Sequence, residues 1–233
     1  MQLPELEEVL FLKRYKRFLA DIENLEGRKE TVYCPNTGAM TGCDIPNSKA
    51  WISCSLNHKR KYPKTLEFME TIGGIVGIRS VLANQLVEEA ISSKILRGLE
   101  AFELVRSEPK IPGENGRFDF LYSDRGQPIF VEVKSVSWLV DGLVGIFPDA
   151  VSTRAVRHLH ALCKIREEGG RAMLVFCAQN TGIKIIKPAA EIDPAYYEAL
   201  AKAMDRGVEI RALTCANDLV NCVANREIPF TLT

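Results

Sequence analysis

Two acidic residues and a lysine stand at spacings that could hold a metal ion. Asp119 lies between Phe118 and Phe120, and Glu132 is followed by Lys134 two positions later. Two carboxylates held at one point suit a hard divalent cation such as Mg²⁺, or Mn²⁺ in its place, because these ions prefer oxygen ligands. A nearby lysine can orient an attacking water or neutralise charge on a phosphoryl oxygen. These residue types therefore predict a cation site with a positive charge beside it.

A β-hairpin is the element that must position these side chains. Strand-forming runs flank a polar turn at 123–128, and alternation along a strand puts Glu132 and Lys134 on the same face. If the turn centres on Arg125 and Gly126, Asp119 lies opposite or nearly opposite Glu132. The predicted sheet then presents two carboxylates and an ammonium group side by side.

An exposed hairpin with cross-strand ion pairs would carry much the same three charges. Phe, Leu, Ile and Val occupy both parities of the two strands, however, which indicates that both faces of the sheet are covered. A charge in a covered sheet costs several kcal/mol unless it is paired or binds a metal ion. The flanking residues therefore favour a functional cluster over a solvated face.

A helix is predicted before the hairpin, over residues 81–99. Leu82, Leu86 and Ala90 recur at helical spacing, and Gly98 is expected to end the helix. Glu89 borders the apolar face and could join the two carboxylates if the helix packs on the hairpin. A surface position is the alternative for Glu89, and the neighbouring Glu88 points further toward solvent.

A second helix is predicted after the hairpin. Pro148 and Asp149 are good residues for a helix start, and Gly169 and Gly170 are a clear stop. Arg154 and His158 lie four residues apart, which places them on one face of this helix.

The first 80 residues read as a small all-β unit with basic and aromatic residues. Short strands alternate with frequent turns, which is typical of a small barrel or sandwich. Cations beside aromatic rings could bind nucleic acid through phosphate contacts and base stacking. The alternative is that the cations solvate strand faces while the aromatic rings fill the core. The candidate residues are Lys13, Arg14, Lys16, Arg17, His58, Lys59, Arg60, Lys61, Tyr62 and Lys64.

The order of elements from residue 81 is αβββαββαβ, which predicts an α/β or α+β domain with a mixed sheet. We therefore divide the chain into an all-β domain at 1–80 and a mixed-sheet domain at 81–233. Gly73, Gly74 and Gly77 match neither a dinucleotide-binding fingerprint nor a phosphate-binding loop with its lysine. The segment around them is interpreted as a strand or an interdomain connection.

Bulk composition narrows the class of protein. The 233 residues carry a formal net charge of zero, so binding of nucleic acid must use a local patch. No apolar run is long enough to cross a membrane, and the acidic first residues lack a signal-peptide layout. Seven cysteines at irregular spacings, without a Cys-x-x-Cys pair, indicate reduced thiols in the cytoplasm rather than a zinc site. We see no heptad or other signal of oligomer assembly.

The sequence also resembles known families. Asp119 with Glu132-x-Lys134, and Glu89 on a preceding helix, resembles the core of PD-(D/E)-x-K nucleases, although Phe118 stands where those proteins have proline. Across nearly the whole chain the sequence resembles the sugar fermentation stimulation protein A family. The segments that carry this resemblance are RYKRFLAD, CPNTGAMTG, KRKYP, ANQLVEEAI, RFDF, VEVKSV, FPDAVSTRAVRHL and RGVEI.

The resemblance implies an N-terminal OB-like β-barrel and a C-terminal domain similar to restriction endonucleases, with DNA as the partner. It makes Asp119 and Glu132 ligands of Mg²⁺ or Mn²⁺ and Lys134 the residue that orients water or stabilises charge. Glu89 becomes a helper carboxylate, and Arg154 and His158 would face phosphate. The implied chemistry is attack of water on a phosphodiester bond of DNA. RNA and single-stranded nucleic acid are the alternative substrates.

Two functions follow from these observations. The first is a metal-dependent nuclease, and the second is a DNA-binding regulator of sugar metabolism that keeps the nuclease fold without using it. An enzyme of sugar metabolism has only the family name in its favour, because no sugar-phosphate or nucleotide motif is present.

Overall fold

The computed structural model describes residues 1–36, 38–57 and 59–233. His58 of the predicted basic cluster lies outside these ranges. The N-terminal part forms one six-stranded sheet in the order β3-β2-β1-β4-β5-β6, with an additional pairing of β3 and β5 at Tyr33 and Thr65. Its strands are β1 (Leu6–Tyr15), β2 (Leu19–Asn24), β3 (Lys29–Tyr33), β4 (Lys49–Cys54), β5 (Lys64–Thr71) and β6 (Gly74–Gly77).

The C-terminal part has a second six-stranded sheet in the order β15-β14-β12-β9-β8-β7 and a three-stranded sheet β10-β11-β13. Strands β9, β12 and β14 run parallel, whereas β7, β8 and β15 are antiparallel to their neighbours. The elements are α1 (Ser80–Ser92), β7 (Phe102–Ser107), β8 (Phe120–Asp124), β9 (Gln127–Val136), β10 (Trp138–Val140), β11 (Val144–Phe147), α2 (Thr153–Glu167), β12 (Arg171–Ala178), β13 (Ile185–Pro188), α3 (Pro194–Asp205), β14 (Glu209–Asn217) and β15 (Cys222–Glu227).

Helices cover both faces of this second sheet. Val131 and Val133 of β9 pack with α1 on one face of the sheet. Val136 lies on the other face and packs there with α2, α3 and the residues of β12 that share this face. Strand β12 is nearly all apolar because it is buried on both sides. The expected mixed-sheet α/β domain is confirmed.

The hairpin has the register that its turn residues predicted. Arg125 and Gly126 both have positive φ, 51° and 86°, which is the backbone conformation of a two-residue type I′ turn. Asp124 pairs with Gln127, and Phe120 pairs with Val131. Continued by one residue, this register sets Asp119 across from Glu132.

Several boundaries differ from the prediction. Helix α1 ends at Ser92, before Gly98, because the chain already leaves the helical path at Lys94, where φ is 59°. Helix α2 starts later than Pro148 because its N-cap is Ser152, whose side chain accepts a hydrogen bond from the Ala155 N–H at 3.2 Å. Strand β15 was not predicted.

The two parts share a core. Trp51 and Phe68 of the first sheet are buried in the same apolar cluster as α1 and one face of the second sheet. Backbone hydrogen bonds also join the parts, from Gly77 N–H to Gln179 O at 3.1 Å and from Thr181 N–H to Ile75 O at 3.1 Å. In the described part of the chain, no helix has the length and apolar character needed to cross a membrane.

Candidate functional site

Glu132 is almost fully buried, with 3% of its surface exposed. Its Oε1 accepts hydrogen bonds from Lys134 Nζ and from His158 Nδ1, both at 2.6 Å. Its Oε2 is buried and has no hydrogen-bond partner among the described residues. Burial opposes ionisation most strongly, yet Lys134 and His158 outweigh it and hold the pKa of Glu132 below its ordinary value.

Asp119 lies on the neighbouring strand end and is tied to two other elements. Its Oδ1 accepts from Asn84 Nδ2 of α1 at 2.8 Å, and its Oδ2 accepts from the Val133 N–H at 2.7 Å. Burial, followed by the negative charge of Glu132, raises the pKa of Asp119 despite these hydrogen bonds. The two carboxylates are therefore close enough to repel one another.

These two carboxylates could bind a cation, but they do not supply a complete set of ligands. A positive ion between Asp119 and Glu132 would relieve their repulsion and would give the unpartnered Oε2 a ligand to bind. Over residues 1–36, 38–57 and 59–233, no group of three or more His, Cys, Asp and Glu side chains is arranged to hold a metal ion. Further ligands would have to come from water, from backbone oxygens or from a substrate.

Lys134 connects the buried carboxylate to an open space. Its side chain is 13% exposed and lines a cavity of about 270 Å³ between the two parts of the chain. Asn36 and Gly38 of the N-terminal part form one wall, whereas Phe147 and Asp149 belong to the C-terminal wall. A ligand in this cavity would meet the ammonium group of Lys134 with Glu132 behind it.

The structure does not bring Glu89 to this site, and the prediction of a helper carboxylate there was wrong. Glu89 Oε2 accepts a hydrogen bond from the Ala224 N–H at 3.2 Å, and Oε1 lies 3.8 Å from the Met1 amino group. Asn84 occupies the place expected for Glu89. The two residues are five positions apart, which rotates their side chains by about 140° around the helix axis.

His158 is in the site but not on a surface that phosphate could reach. It is 2% exposed, and its ring stands edge-on to Phe118 with 6.0 Å between the ring centroids. The predicted phosphate contact of His158 is therefore replaced by a hydrogen bond to Glu132. Arg154, one turn earlier on α2, is exposed, so its phosphate contact stays a prediction.

The first basic group lies at the turn between β1 and β2. Lys16 and Arg17 are exposed and have φ values of 50° and 63°. Arg14 instead donates hydrogen bonds to three backbone carbonyls, those of Arg17, Ala39 and Asn36 at 2.7–3.2 Å. Arg14 thus shapes the loop that lines the cavity, in place of the expected direct contact with nucleic acid.

The second basic group, in the loop between β4 and β5, is more accessible. Lys59, Arg60 and Lys61 are exposed, and Tyr62 is half-buried. The Arg60 guanidinium lies 5.7 Å from the ring centroid of Tyr33, and Lys61 Nζ lies 5.6 Å from that of Tyr62. Lys64 is not available, because Glu30 and Glu7 bind its Nζ at 2.6 and 3.3 Å.

Both basic groups lie at one end of the first sheet. Tyr33, which ends β3, pairs with Leu19 next to the first group and with Thr65 next to the second. The chain then continues to Asn36 at the cavity wall. The exposed cations thus lie near the strand end from which the chain continues to Asn36 at the cavity wall.

Sequence reasoning missed Asn84 and Asp149. Asn84 is a polar position between buried Ala83 and Leu86, but a search for carboxylates passes over an amide. Asp149 was interpreted as part of a helix start. It instead accepts a hydrogen bond from the Met40 N–H at 2.9 Å and so ties Met40 of the N-terminal part to the C-terminal part. No local signal connects two segments that lie more than 100 residues apart.

Comparisons with known proteins agree with this architecture. The model of the SfsA N-terminal OB domain matches residues 12–78, and the model of the sugar fermentation stimulation protein RE domain matches residues 81–220. Sugar fermentation stimulation protein homologs from Thioalkalivibrio sulfidiphilus and from Pseudomonas syringae pv. tomato are 44% and 46% identical. Each alignment covers 90% of this chain, and 88% and 89% of the respective relative.

A solved structure described as Pyrococcus furiosus SfsA in complex with Ca²⁺ is also similar. It matches with a TM-score of 0.90 and 30% identity over 100% of this chain and 98% of the other. The two family models together span both parts of the molecule, and the curated relatives align over nearly the whole length. The chain therefore belongs to the sugar fermentation stimulation protein family.

Proposed function

We propose that this protein binds DNA and hydrolyses phosphodiester bonds with a divalent cation, Mg²⁺ or Mn²⁺, held by Asp119 and Glu132. One observation carries the proposal. Asp119, directly before β8, lies close enough to Glu132 of β9 for that negative charge to raise its pKa, and one buried oxygen of Glu132 lacks a hydrogen-bond partner among the described residues. Lys134 stands between that pair and an open cavity.

The chemistry of the donors fits a divalent cation. Asp119 and Glu132 offer hard oxygen ligands, and the relative from Pyrococcus furiosus has been solved in complex with Ca²⁺, an ion with the same preference for oxygen. When bound, such a cation would activate water and stabilise charge on the attacking and leaving oxygens. Asn84 and the Val133 N–H hold the Asp119 carboxylate in place for this role.

The surrounding residues have separate tasks. Lys134 would contact a phosphoryl oxygen from the cavity side, while Glu132 Oε1 fixes the direction of its ammonium group. His158 holds Glu132 from behind, which keeps Oε2 turned away from the helix contact. Cation binding requires ionised Asp119, and the positive charge of a bound ion would bring its raised pKa down again.

Contact with DNA is assigned to the basic end of the first sheet. Lys16, Arg17, Lys59, Arg60 and Lys61 are exposed there, with the Tyr62 ring among them. Cations beside aromatic rings suit both phosphate contacts and base stacking. The additional pairing of β3 with β5 supports a closed OB-type barrel as the framework.

The test is cleavage of labelled single-stranded, duplex and branched substrates in Mg²⁺ or Mn²⁺. We expect Glu132→Gln and Lys134→Met to reduce the cleavage rate by about 10²–10³-fold, the size found when a group that stabilises the transition state is removed. Glu89→Gln is the matched control, because that carboxylate binds on the other side of α1. No cleavage of any substrate by the wild type, or full activity of Glu132→Gln, would contradict hydrolysis.

A second candidate is a DNA-binding protein that keeps the fold without hydrolysis. It is favoured by the ion pair with Lys134 and the hydrogen bond with His158 that occupy Oε1 of Glu132, and by the lack of a third protein carboxylate at the pair within the described ranges. In this case Glu132→Gln would bind DNA as the wild type does, and neither protein would cleave it. Binding and cleavage measured on the same preparations separate the two candidates.

A further inference from the structure

The cavity at Lys134 is small and lies between the two parts of the molecule. Its volume of about 270 Å³ is near the lower end of small-molecule pockets, which begin at roughly 300 Å³. Glu132, next to Lys134, is 3% exposed, whereas Asp119 is partly exposed and does not line this space. A phosphate inside the cavity would therefore meet Lys134, with Glu132 directly behind it.

The walls of the cavity are fixed to each other. Asp149 accepts a hydrogen bond from Met40 N–H at 2.9 Å, and its carbonyl accepts one from Thr41 Oγ1 at 3.3 Å. Below the cavity, Gln179 Nε2 donates to Arg79 O at 3.1 Å and to Ser135 Oγ at 2.7 Å. Opening the space enough for a duplex would break these contacts and the shared core.

The lining groups match the parts of one nucleotide. Lys134 supplies a cation for a phosphate, and Asn36 and Ser137 supply polar groups for a sugar or a base edge. Phe147 is partly buried, and its ring is held by Phe176 and Tyr196, whose ring centroids lie 5.7 and 5.3 Å away. A fixed aromatic ring can stack on any base, which gives sequence-tolerant binding.

We infer that this cavity receives one unpaired nucleotide, with its phosphate at Lys134 and its base against Phe147. The substrate class of the site is then single-stranded nucleic acid, or the unpaired end of a duplex. Paired bases remain stacked inside a duplex and could enter such a space only after the strands separate. This inference rests on the proposed function and specifies its substrate.

The experiment compares the affinity of the whole protein for a blunt duplex and for the same duplex with a single-stranded overhang. Fluorescence anisotropy is measured in Ca²⁺, and the probes are checked afterwards on a gel for intact length. The overhang is expected to bind about tenfold more tightly, which is within the contribution of stacking one base.

Gly38→Val tests whether the cavity causes this preference. Gly38 is exposed and has no positive φ, and a Cβ there would lie 3.1 Å from Asn36 Oδ1 and 3.4 Å from Asp149 Oδ2. Valine would thus narrow the space without a left-handed backbone conformation, while the Asn36 side chain shifts by a few tenths of an ångström. The overhang should then bind no more than about twofold more tightly than the blunt duplex. Ser137→Val, on the facing wall, is the second variant if Gly38→Val unfolds at a lower temperature than the wild type. Leu25, in the β2–β3 turn, is 82% exposed, so Leu25→Val is the control that should keep the preference.

Each outcome distinguishes the inference from the proposed function. Equal wild-type affinities for the two probes would overturn the single-strand inference and leave DNA binding intact. A preference that persists in folded cavity variants would overturn it as well, because the unpaired nucleotide would bind elsewhere. Failure of the wild type to bind either probe would remove both the inference and the proposed DNA binding.

Discussion

The two oxygens of Glu132 have different surroundings, and this difference governs the candidate site. Oε1 is shared by Lys134 and His158, whereas Oε2 has no hydrogen-bond partner among the described residues. A buried carboxylate is tolerated only when other charges and hydrogen bonds offset the loss of hydration. The ion pair with Lys134 and the hydrogen bond with His158 at Oε1 therefore stabilise an ionised group whose other oxygen remains available.

We predict that His158→Ala lowers the free energy of unfolding by about 3 kcal/mol, because it removes a partner of a buried carboxylate and leaves a cavity. Arg154→Ala is the matched control on the same helix, where an exposed side chain should contribute within about 0.5 kcal/mol. Urea unfolding measures both values, provided that the slope of the unfolding free energy against urea concentration is the same in the variants and the wild type. Equal effects of the two substitutions would show that the contact with Glu132 is energetically unimportant.

A pH dependence follows from the lowered pKa of Glu132. The folded protein keeps this group ionised at pH values where the unfolded chain, near 4.5, already takes up a proton. Its contribution to stability is therefore complete above pH 4.5 and is lost as pH falls toward the folded pKa. Relative to Glu132→Gln, the wild-type residue should lose its stability advantage in that acid range.

This pH dependence is measured more cleanly in an Asp119→Asn background, because folding raises the pKa of Asp119 and lowers that of Glu132. The two residues therefore change the stability with pH in opposite directions, and the shift of Asp119 depends in part on the charge of Glu132. Unfolding free energies of Asp119→Asn and Asp119→Asn/Glu132→Gln are measured from pH 7 downward. A difference between them that stays constant below pH 4.5 would contradict the assigned direction for Glu132.

At the scale of elements, Asp193 links the two helices behind the site. Its Oδ1 accepts from the Tyr196 N–H at the start of α3, at 3.0 Å, and its Oδ2 accepts from the Ser152 N–H at the start of α2, at 2.8 Å. One buried carboxylate thus satisfies two helix N-termini, where negative charge is favourable. The position of α2, and with it His158, depends on this link.

We expect Asp193→Ala to lower the free energy of unfolding by about 2–3 kcal/mol, since it removes a helix cap and an acceptor for a second helix. Ser152→Ala removes only the cap of α2 and should cost about 1 kcal/mol. Denaturant titrations of both variants test the ranking. A loss for Asp193→Ala no larger than that for Ser152→Ala would argue against the link.

The sequence allowed prediction of elements whose geometry is set locally. Arg125 and Gly126 fix the turn, and from the turn the pairing of Asp119 with Glu132 follows by counting residues. The contact between His158 and Glu132 could not be obtained this way, because it depends on how α2 rotates and packs on the sheet. The prediction that Glu89 joins the site failed for the same reason, because a position beside the apolar stripe of a helix does not specify which residues of the sheet it contacts.

At the scale of the whole molecule, the net charge of zero hides an uneven surface. The exposed cations Lys59 and Lys61 lie near Lys16 and Arg17 at one end of the first sheet, whereas Lys64 is neutralised by Glu7 and Glu30. Any binding of nucleic acid at this end releases counterions from phosphates, so its affinity should fall steeply with salt.

We predict that Lys59→Ala/Lys61→Ala weakens DNA binding and reduces the slope of log K against log salt by about 2. The matched control is Lys164→Ala/Lys202→Ala, which removes two exposed lysines from α2 and α3. Affinity titrations across a salt series give the slopes. Identical slopes for the two double variants would exclude the β4–β5 loop as a phosphate contact.

The packing of Trp51 and Phe68 against α1 has a practical consequence for dissecting this protein. The two family models meet near residue 80, which invites expression of each half alone. A cut there would uncover the indole and phenyl rings on one fragment and an apolar helix flank on the other. Both fragments would be prone to aggregate, so loss of activity in a truncated half would report damaged solubility rather than the location of the chemistry.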